Sequence, residues 1–293
     1  MFKTILAVAP IAIGAQFAVA ADSIHHTHEE AEREIVPCEQ IFVPVQDGEH
    51  GRDAFRLQTW PGGLIPYAFN ANVNATNQAR AINAMNEIME VCGAEFVPRD
   101  GHPDWIVFND STSNSSPVGR QGGPQTINMV NWNVRFIIVH EIMHSMGSYH
   151  EQSRPDRDDF VQINVANIEP GALNNFQIAP LAAPEGDYDF DSIMHYGQFD
   201  FSVNGQRTIT VLPPNESQQA QIGQRSHLSE GDILGLTTRY GSTLTGDING
   251  DGSVDSTDLA ILLAAWGGSE VDFNDDGICD SADLAILLAA WTG

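Results

Sequence analysis

The spacing of apolar residues changes character several times along the chain, and each change marks an element. Residues 5–20 are almost wholly apolar, and residues 21–52 carry little periodic pattern. The turn Trp60-Pro61-Gly62-Gly63 leads into a short apolar run, 64–69, which predicts a strand. Over 74–92, Ala79, Ile82, Met85, Ile88 and Met89 recur at helical spacing on one face, with Gly93 as the expected stop. A second strand is expected over 104–109 and a third over 126–130, separated by the Ser/Asn/Gly-rich loop 110–123. The spacing predicts another helix over 134–146, ending at Gly147. Later segments are mixed, with turn signals at 184–186, Asn204-Gly205 and Pro213-Pro214. Past Tyr240 the pattern becomes a direct repeat of period 25, in which LAILLAAW occurs identically at 259–266 and 284–291. Such a duplication marks a separate module.

Composition adds two constraints. The 293 residues exceed one average domain, and 39 acidic against 13 basic residues give a net charge of -26. That balance opposes binding to nucleic acid or anionic lipid by simple attraction. At the N-terminus, Lys3, the apolar run from Ile5 to Ala20, and Ala18-Val19-Ala20 have the form of an export signal with its cleavage site. A membrane anchor is the alternative, but the run is short and interrupted by Pro10 and Gly14. After signal removal no stretch is long and apolar enough to span a bilayer, so a secreted, soluble protein is expected. Export permits a disulfide among Cys38, Cys92 and Cys279. Cys279 occupies the position held by Val254 in the other repeat, a buried apolar place. The expected pair is therefore Cys38–Cys92.

Residues 140–151 read HEIMHSMGSYHE. His140 and His144 lie one helical turn apart, so both imidazoles leave the same face, a separation that suits zinc. Gly147 can take a positive φ and turn the chain, which returns His150 to the ion as a third ligand. Three protein ligands leave the open position that a catalytic zinc needs. Glu141, beside the first ligand, is placed as general base toward an activated water. HExxH alone arises by chance in roughly 4% of chains of this length, but six specified positions arise in fewer than about one in a hundred thousand.

HEIMHSMGSYHEQSRPDRDDF resembles the extended zinc motif of the astacin metallopeptidases, within the wider metzincin group. WPGGLIPYAF, GRQGG, SIMHYG and IGQR..LS..D follow in the family's order between Trp60 and Tyr240. The resemblance implies that Met194 forms an apolar floor beneath zinc. It implies that Tyr196 ligates zinc at rest and swings away to stabilise the oxyanion. It also implies that Glu151 receives the mature N-terminus and that Arg225 shapes the pocket for the residue after the scissile bond, favouring an acidic side chain. Gly119 to Gly123 are expected at the cleft's upper edge, and Arg154, Asp156, Arg157 and Asp158 in a structural ion-pair network. The implied fold is α+β and two-lobed. A mixed sheet and two long helices, the second carrying His140 to His144, form the upper lobe above a mainly irregular lower lobe.

The sequence departs from that family in two ways. Family members usually carry more disulfide cysteines, and here Ser115 or Ser116 stands where one is common. The F-x-G-D motif of a blocking pro-segment is also absent; Asp47, before Gly48, is the nearest substitute, while Cys38 offers a thiolate to zinc. Arg52–Asp53 is one candidate for the activation cut.

In the repeat, Asp247, Asn249, Asp251, Asp255 and Asp258, and again Asp272, Asn274, Asp276, Asp280 and Asp283, take the ligand positions of EF-hand-type calcium loops. The pair resembles the dockerin module, two calcium loops each followed by a helix, which implies a small all-α domain, two Ca2+ and a cohesin-type scaffold partner. Its helices lack the basic residues often seen there. The expected division is 1–20 signal, 21–52 pro-segment or flexible lead-in, 53–241 catalytic domain and 245–293 calcium module. The expected function is a secreted zinc endopeptidase acting on proteins or peptides. The alternative is a non-catalytic scaffold or adhesion component working through its calcium module.

Overall fold

The computed structural model describes residues 37–41, 59–179, 182, 186–274 and 276–292. The export segment, Asp47 and the Arg52–Asp53 bond lie outside the described residues.

Helix α1 (Ala75–Val91) begins where the Asn74 side chain accepts the Asn77 amide at 2.9 Å. Its buried stripe is Asn77, Ala81, Ala84, Met85 and Ile88. The helix ends at Gly93 for a different reason from a left-handed cap. The Gly93 N–H donates to the Gly241 carbonyl at 2.8 Å, and a Cβ on Gly93 would stand 2.5 Å from the Tyr240 carbonyl oxygen. Two backbones pass too closely there for any side chain. Gly93→Ala is expected to destabilise the protein by about 2 kcal/mol, an overpacking cost, read as a lower urea midpoint. An unchanged midpoint would show that the Tyr240 carbonyl yields freely.

The main sheet has six strands: β1 (Glu39–Ile41), β2 (Leu64–Phe69), β3 (Glu95–Pro98), β4 (Trp105–Asp110), β5 (Ser115–Pro117) and β6 (Pro124–Met129), in the order β1-β5-β6-β4-β2-β3. All neighbouring pairs are parallel except β5 with β6. Helix α2 (Arg135–Ser145) packs beside α1 and against β5 and β6, and every residue from Phe136 to Ser145 is buried. Ile65, Ile106, Phe108, Ile127 and Met129 from the sheet meet Met85 and Ile88 of α1 and Ile138 and Ile142 of α2 in the main core. Burying each such side chain contributes about 1.5–3 kcal/mol, so this layer fixes where α2 lies.

Below it the chain is mostly short turns, with one antiparallel pair, β7 (Val161–Ile163) and β8 (Ile209–Val211). A second core of Val161, Phe176, Tyr188, Tyr196, Val211 and Ile222 holds this part. Arg157 knits the turns by donating to the Gln152 and Phe176 carbonyls at 2.8 and 2.5 Å. Arg154 pairs with Glu151 and Asp156, and Arg157 with Asp158, which is the ion-pair network expected from the sequence.

Helix α3 (Glu230–Tyr240) sends Leu236 back into the main core. The repeat follows as α4 (Ser256–Ala264) and α5 (Ser281–Ala289), around Val254, Leu262, Val271, Cys279 and Leu287. Cys279 is the buried apolar residue that the repeat predicted. No described helix is long and apolar enough to cross a membrane.

One expectation is corrected. The Cys38–Cys92 bridge is not formed, and none of the three cysteines is in a disulfide. Cys92 caps α1 and pairs with Ser242, whereas Cys38 lies against Glu141 on α2. Within the segment 21–52, residues 39–41 form the edge strand β1.

Candidate active site

α2 is buried all round because its two sides face different partners. Ile138, Ile142 and Met143 face the main core, while His140 and Glu141 are buried against Ile193 and Cys38 and His144 against Ser148. The helix stops at Gly147, whose φ of 112° allows the turn, and His150 comes back to the same face. The Glu151 amide donates to the Met194 carbonyl at 3.1 Å and pins that return.

The Nε2 atoms of His140 and His144 each stand 3.2 Å from Nε2 of His150. Three nitrogens held tetrahedrally about 2.0–2.1 Å from one zinc lie about 3.3–3.4 Å apart, so the spacing fits that ion. The outer nitrogens fix the rings. His140 Nδ1 donates to the Ile193 carbonyl at 2.8 Å and His144 Nδ1 to the Ser148 carbonyl at 2.7 Å, leaving the Nε2 lone pairs directed inward. Burial, with repulsion between the rings, drives the pKa of His140 and His150 well below the ordinary histidine value, and burial lowers that of His144 to about 4. All three are thus neutral imidazoles, the form that binds metal. Lone pairs that converge at this distance repel unless a cation lies between them.

Glu141 is fully buried, and burial raises its pKa to about 8, opposed by the Cys38 thiol and the nearby Arg225 charge. The Cys38 thiol donates to its Oε2 at 3.4 Å, while Oε1 is buried without a hydrogen-bond partner. A buried polar atom left unsatisfied costs about 1–3 kcal/mol; a cation and its water beside the imidazoles answer that need. Tyr196 is also fully buried, its ring 4.3 Å from that of His150, and its hydroxyl donates to the Cys38 carbonyl.

Met194 is 2% exposed and belongs to the main core. Its segment is tied down by Asp232, which accepts from the Ser192 hydroxyl at 2.7 Å and the Ile193 amide at 2.9 Å, and from Ser229 at the start of α3. Nothing in the apolar pattern singled out Asp232 for this; its capping position in Ser-x-x-Asp was the available signal. Arg225 is half-buried and donates to the His195 and Gln224 carbonyls. It lines a cavity of about 160 Å³ with Cys38, His140, Glu141, Asp200 and Gly223. Asp200 went unremarked in the sequence. Glu151 is held by Arg154 at 3.1 Å and the Asp189 amide at 2.9 Å, beside a second cavity of about 80 Å³. Burial raises its pKa to about 7. Gly119 donates to the His144 carbonyl at 2.8 Å, which places the GRQGG segment against the end of α2.

These positions are those of a metallopeptidase centre, and residues 53–241 match the model of "Astacin (Peptidase family M12A)". The chain belongs to the astacin family. Its astacin region is 39% identical over 189 residues to zinc metalloproteinase nas-14 of Caenorhabditis elegans, covering 62% of this chain and 37% of that protein. It is 32% identical over 203 residues to zinc metalloproteinase nas-4 of the same organism, covering 67% and 64%. Tolloid-like protein 2 of Mus musculus is 39% identical over 189 residues, covering 62% of this chain and 19% of that protein. The chain therefore spans less than two thirds of the length of these relatives. Among solved structures, high choriolytic enzyme 1, a hatching-enzyme zinc protease of Oryzias latipes, aligns with a TM-score of 0.55 at 33% identity, over 61% of this chain and 91% of that one.

Outside the astacin region, residues 245–290 match the dockerin type I domain. In its first loop Asp247 accepts from the Gly250 and Gly252 amides at 2.8 and 2.9 Å, and Asp258 from the Ile248 amide at 2.7 Å. In the second, Asp272 accepts from Gly277 at 2.6 Å and Asp283 from Phe273 at 2.7 Å. Asn249 and Asn274 each donate to the aspartate two residues on, Asp251 and Asp276, at 2.8 Å. Asp255 and Asp280 are the N-caps of α4 and α5. The two loops are therefore near copies in geometry as well as in sequence.

Proposed function

We propose that the chain is exported, matures by loss of residues N-terminal to the astacin region, and acts outside the cell as a zinc endopeptidase on proteins or peptides. The observation that carries this reading is the convergence of the His140 and His144 Nε2 atoms on that of His150, each at 3.2 Å, with the buried Oε1 of Glu141 left without a hydrogen-bond partner. His140, His144 and His150 hold the ion. Zinc bound there supplies Lewis acidity and lowers the pKa of the attacking water to roughly 7. Glu141 accepts that water's proton and returns it to the departing amine. Tyr196, once its hydroxyl leaves the Cys38 carbonyl, donates to the developing oxyanion. Glu151, held by Arg154 beside its cavity, receives the mature N-terminus. Digestion of casein by the matured protein, abolished by chelator and restored by zinc, is the expected result. A metal-loaded, matured protein that cleaves neither casein nor a peptide library would leave the scaffold reading in its place.

Arg225 sets the side chain preferred after the cut. Its guanidinium lines the cavity next to Glu141, and a hydrogen bond to a charged group contributes about 1.5–3 kcal/mol. Arg225→Gln is expected to cut the ratio of kcat/KM for acidic over neutral residues after the scissile bond by about tenfold or more, read by cleavage-site profiling. An unchanged ratio would remove Arg225 from the specificity pocket.

Residues 245–293 act as the attachment module. Each repeat binds one Ca2+ through the five side chains named for it, and the exposed Leu263, Trp266, Leu288 and Trp291 offer an apolar face to a cohesin-type partner. The duplicated, exposed tryptophans favour this reading of the module over a simple acidic tail.

A further inference from the structure

Cys38 touches all three working parts of the candidate centre. Its Sγ and the ring nitrogens of His140, His144 and His150 lie within 4.8 Å of one another, all four residues buried. The same thiol donates to Oε2 of Glu141 at 3.4 Å, and the backbone carbonyl of Cys38 accepts the Tyr196 hydroxyl. One residue thus stands beside the three candidate metal ligands, Glu141 and Tyr196 together.

The segment around it is held independently. β1 lies along β5 in parallel register, Glu39 opposite Ser115, Gln40 opposite Ser116 and Ile41 opposite Pro117. An extended segment added to a sheet edge is how peptides dock by strand addition, and residues 39–41 take that place along β5. Pro37 and Cys38 also wall the cavity that Arg225 lines. A loose N-terminal tail would make neither set of contacts.

We propose that the Cys38 thiolate is the fourth protein ligand to zinc in the unprocessed chain, and that this bond, with β1 laid along β5, keeps the enzyme latent. The inference rests on the zinc-peptidase reading. Zinc accepts sulfur at about 2.3 Å as readily as imidazole nitrogen, and a four-ligand site has no position left for water. On ligation the S–H bond is replaced by a Zn–S bond, and the proton passes to Glu141, whose Oε2 already accepts from Sγ. The base is then protonated and the open position filled, so two requirements of hydrolysis fail at once. Cleavage between residue 41 and the start of the described catalytic region frees the strand from its covalent tether. The dissociating thiolate takes a proton back from Glu141 and leaves the base ionised. No oxidation step is needed.

The test uses the full-length chain loaded with Co2+ in place of zinc. The wild type should show visible cobalt ligand-field bands together with a near-ultraviolet thiolate-to-cobalt charge-transfer band. Cys38→Ala should lose the charge-transfer band while keeping the ligand-field bands and one bound ion, which also shows that the variant's site has folded. Unprocessed Cys38→Ala should hydrolyse a peptide on the order of 100-fold faster than the unprocessed wild type, because an intramolecular ligand is present at high effective concentration. Ligand-field bands without a charge-transfer band in the wild type would overturn the ligation and leave the peptidase reading standing. A charge-transfer band that persists in Cys38→Ala would assign it to Cys92 or Cys279 and overturn the proposal likewise. Equal hydrolysis rates would overturn the latency. Failure to bind cobalt in both proteins would instead remove the metal centre itself, and the proposal with it.

Discussion

Glu141→Gln is expected to lower kcat/KM by about 10³–10⁴-fold, some 4–5 kcal/mol of transition-state stabilisation, with zinc content unchanged. General acid–base catalysis contributes about 10²–10⁴-fold, and three features of the site place the loss at the upper end. The three nearby imidazoles have their Nε2 atoms turned to one another and two of their Nδ1 atoms bonded to carbonyls, so none is available as a base. His195 is committed as well, to the Tyr188 hydroxyl and the Tyr196 carbonyl. Asp200 accepts the Gly197 amide and sits in the cavity wall. Each of these groups is already committed, so none of them can take over the proton transfer. The amide is nearly isosteric and leaves the histidines untouched, so metal analysis of the purified variant separates loss of base from loss of ion. Stability provides a further sign. Burial raises the Glu141 pKa above its ordinary value, so in the metal-free protein the ionised form is disfavoured by folding, and stability falls as pH rises toward about 8. Metal-free Glu141→Gln should lack that loss and melt no lower than the wild type near pH 8. Activity within tenfold of wild type would remove Glu141 from the role of base.

The parts of this site that were legible in the sequence are those set by local geometry. Two histidines four apart on a helix must share a face, and a glycine after the last turn allows the third to return; both follow from the helical repeat alone. The α1 core stripe was legible for the same reason, although Ala81 and Ala84, and not Ala79 and Ile82, are the positions that end up buried. Small residues fit where α1 meets its neighbours closely, and apolar spacing alone does not distinguish the two stripes. Gly93 was recognised as a stop, but its cause is a backbone crossing with Tyr240, some 150 residues away along the chain. β1 was missed altogether. Pro-Cys-Glu-Gln-Ile has no alternation to mark a strand, and its pairing with residues 115–117 is a long-range event. The sequence offers Cys38 both to a disulfide, by elimination among three cysteines, and to zinc as a thiolate, and counting cysteines without regard to place does not choose between them. The lower part resisted for a related reason. β7 and β8 are three residues each, too short for a period, and its turns are fastened by Arg154 and Arg157 to backbone carbonyls that no sequence pattern announces.

Removal of calcium with EGTA is expected to unfold residues 245–293 while the astacin region keeps its fold. The fully buried apolar side chains available to this module are few: Val254, Leu262, Cys279 and Leu287, with Val271 at 8% exposure. At about 1.5–3 kcal/mol each they do not offset ordering almost fifty residues at roughly 1.5 kcal/mol apiece, even with the partly buried residues packed round them. Each loop also gathers four carboxylates, Asp247, Asp251, Asp255 and Asp258 in the first and Asp272, Asp276, Asp280 and Asp283 in the second. Four like charges within one twelve-residue loop repel by about 1 kcal/mol per close pair in water and more where the dielectric falls. A divalent ion in each loop removes that repulsion and makes its binding energy part of the folding energy. The two halves should not melt alike. The first loop leans on α3, where Thr237 donates to the Gly250 carbonyl and Gly252 lies so close to Ile233 that a Cβ would stand 2.5 Å from its side chain. No comparable contact with the astacin region is seen at Gly277. Fluorescence of Trp291 should therefore report loss of the second repeat at a higher calcium concentration than Trp266 reports loss of the first, in the single-tryptophan variants of the module within the full chain. A module that keeps its helical circular dichroism and its melting temperature in excess EGTA would show that the small core suffices and that the paired aspartates are not calcium ligands.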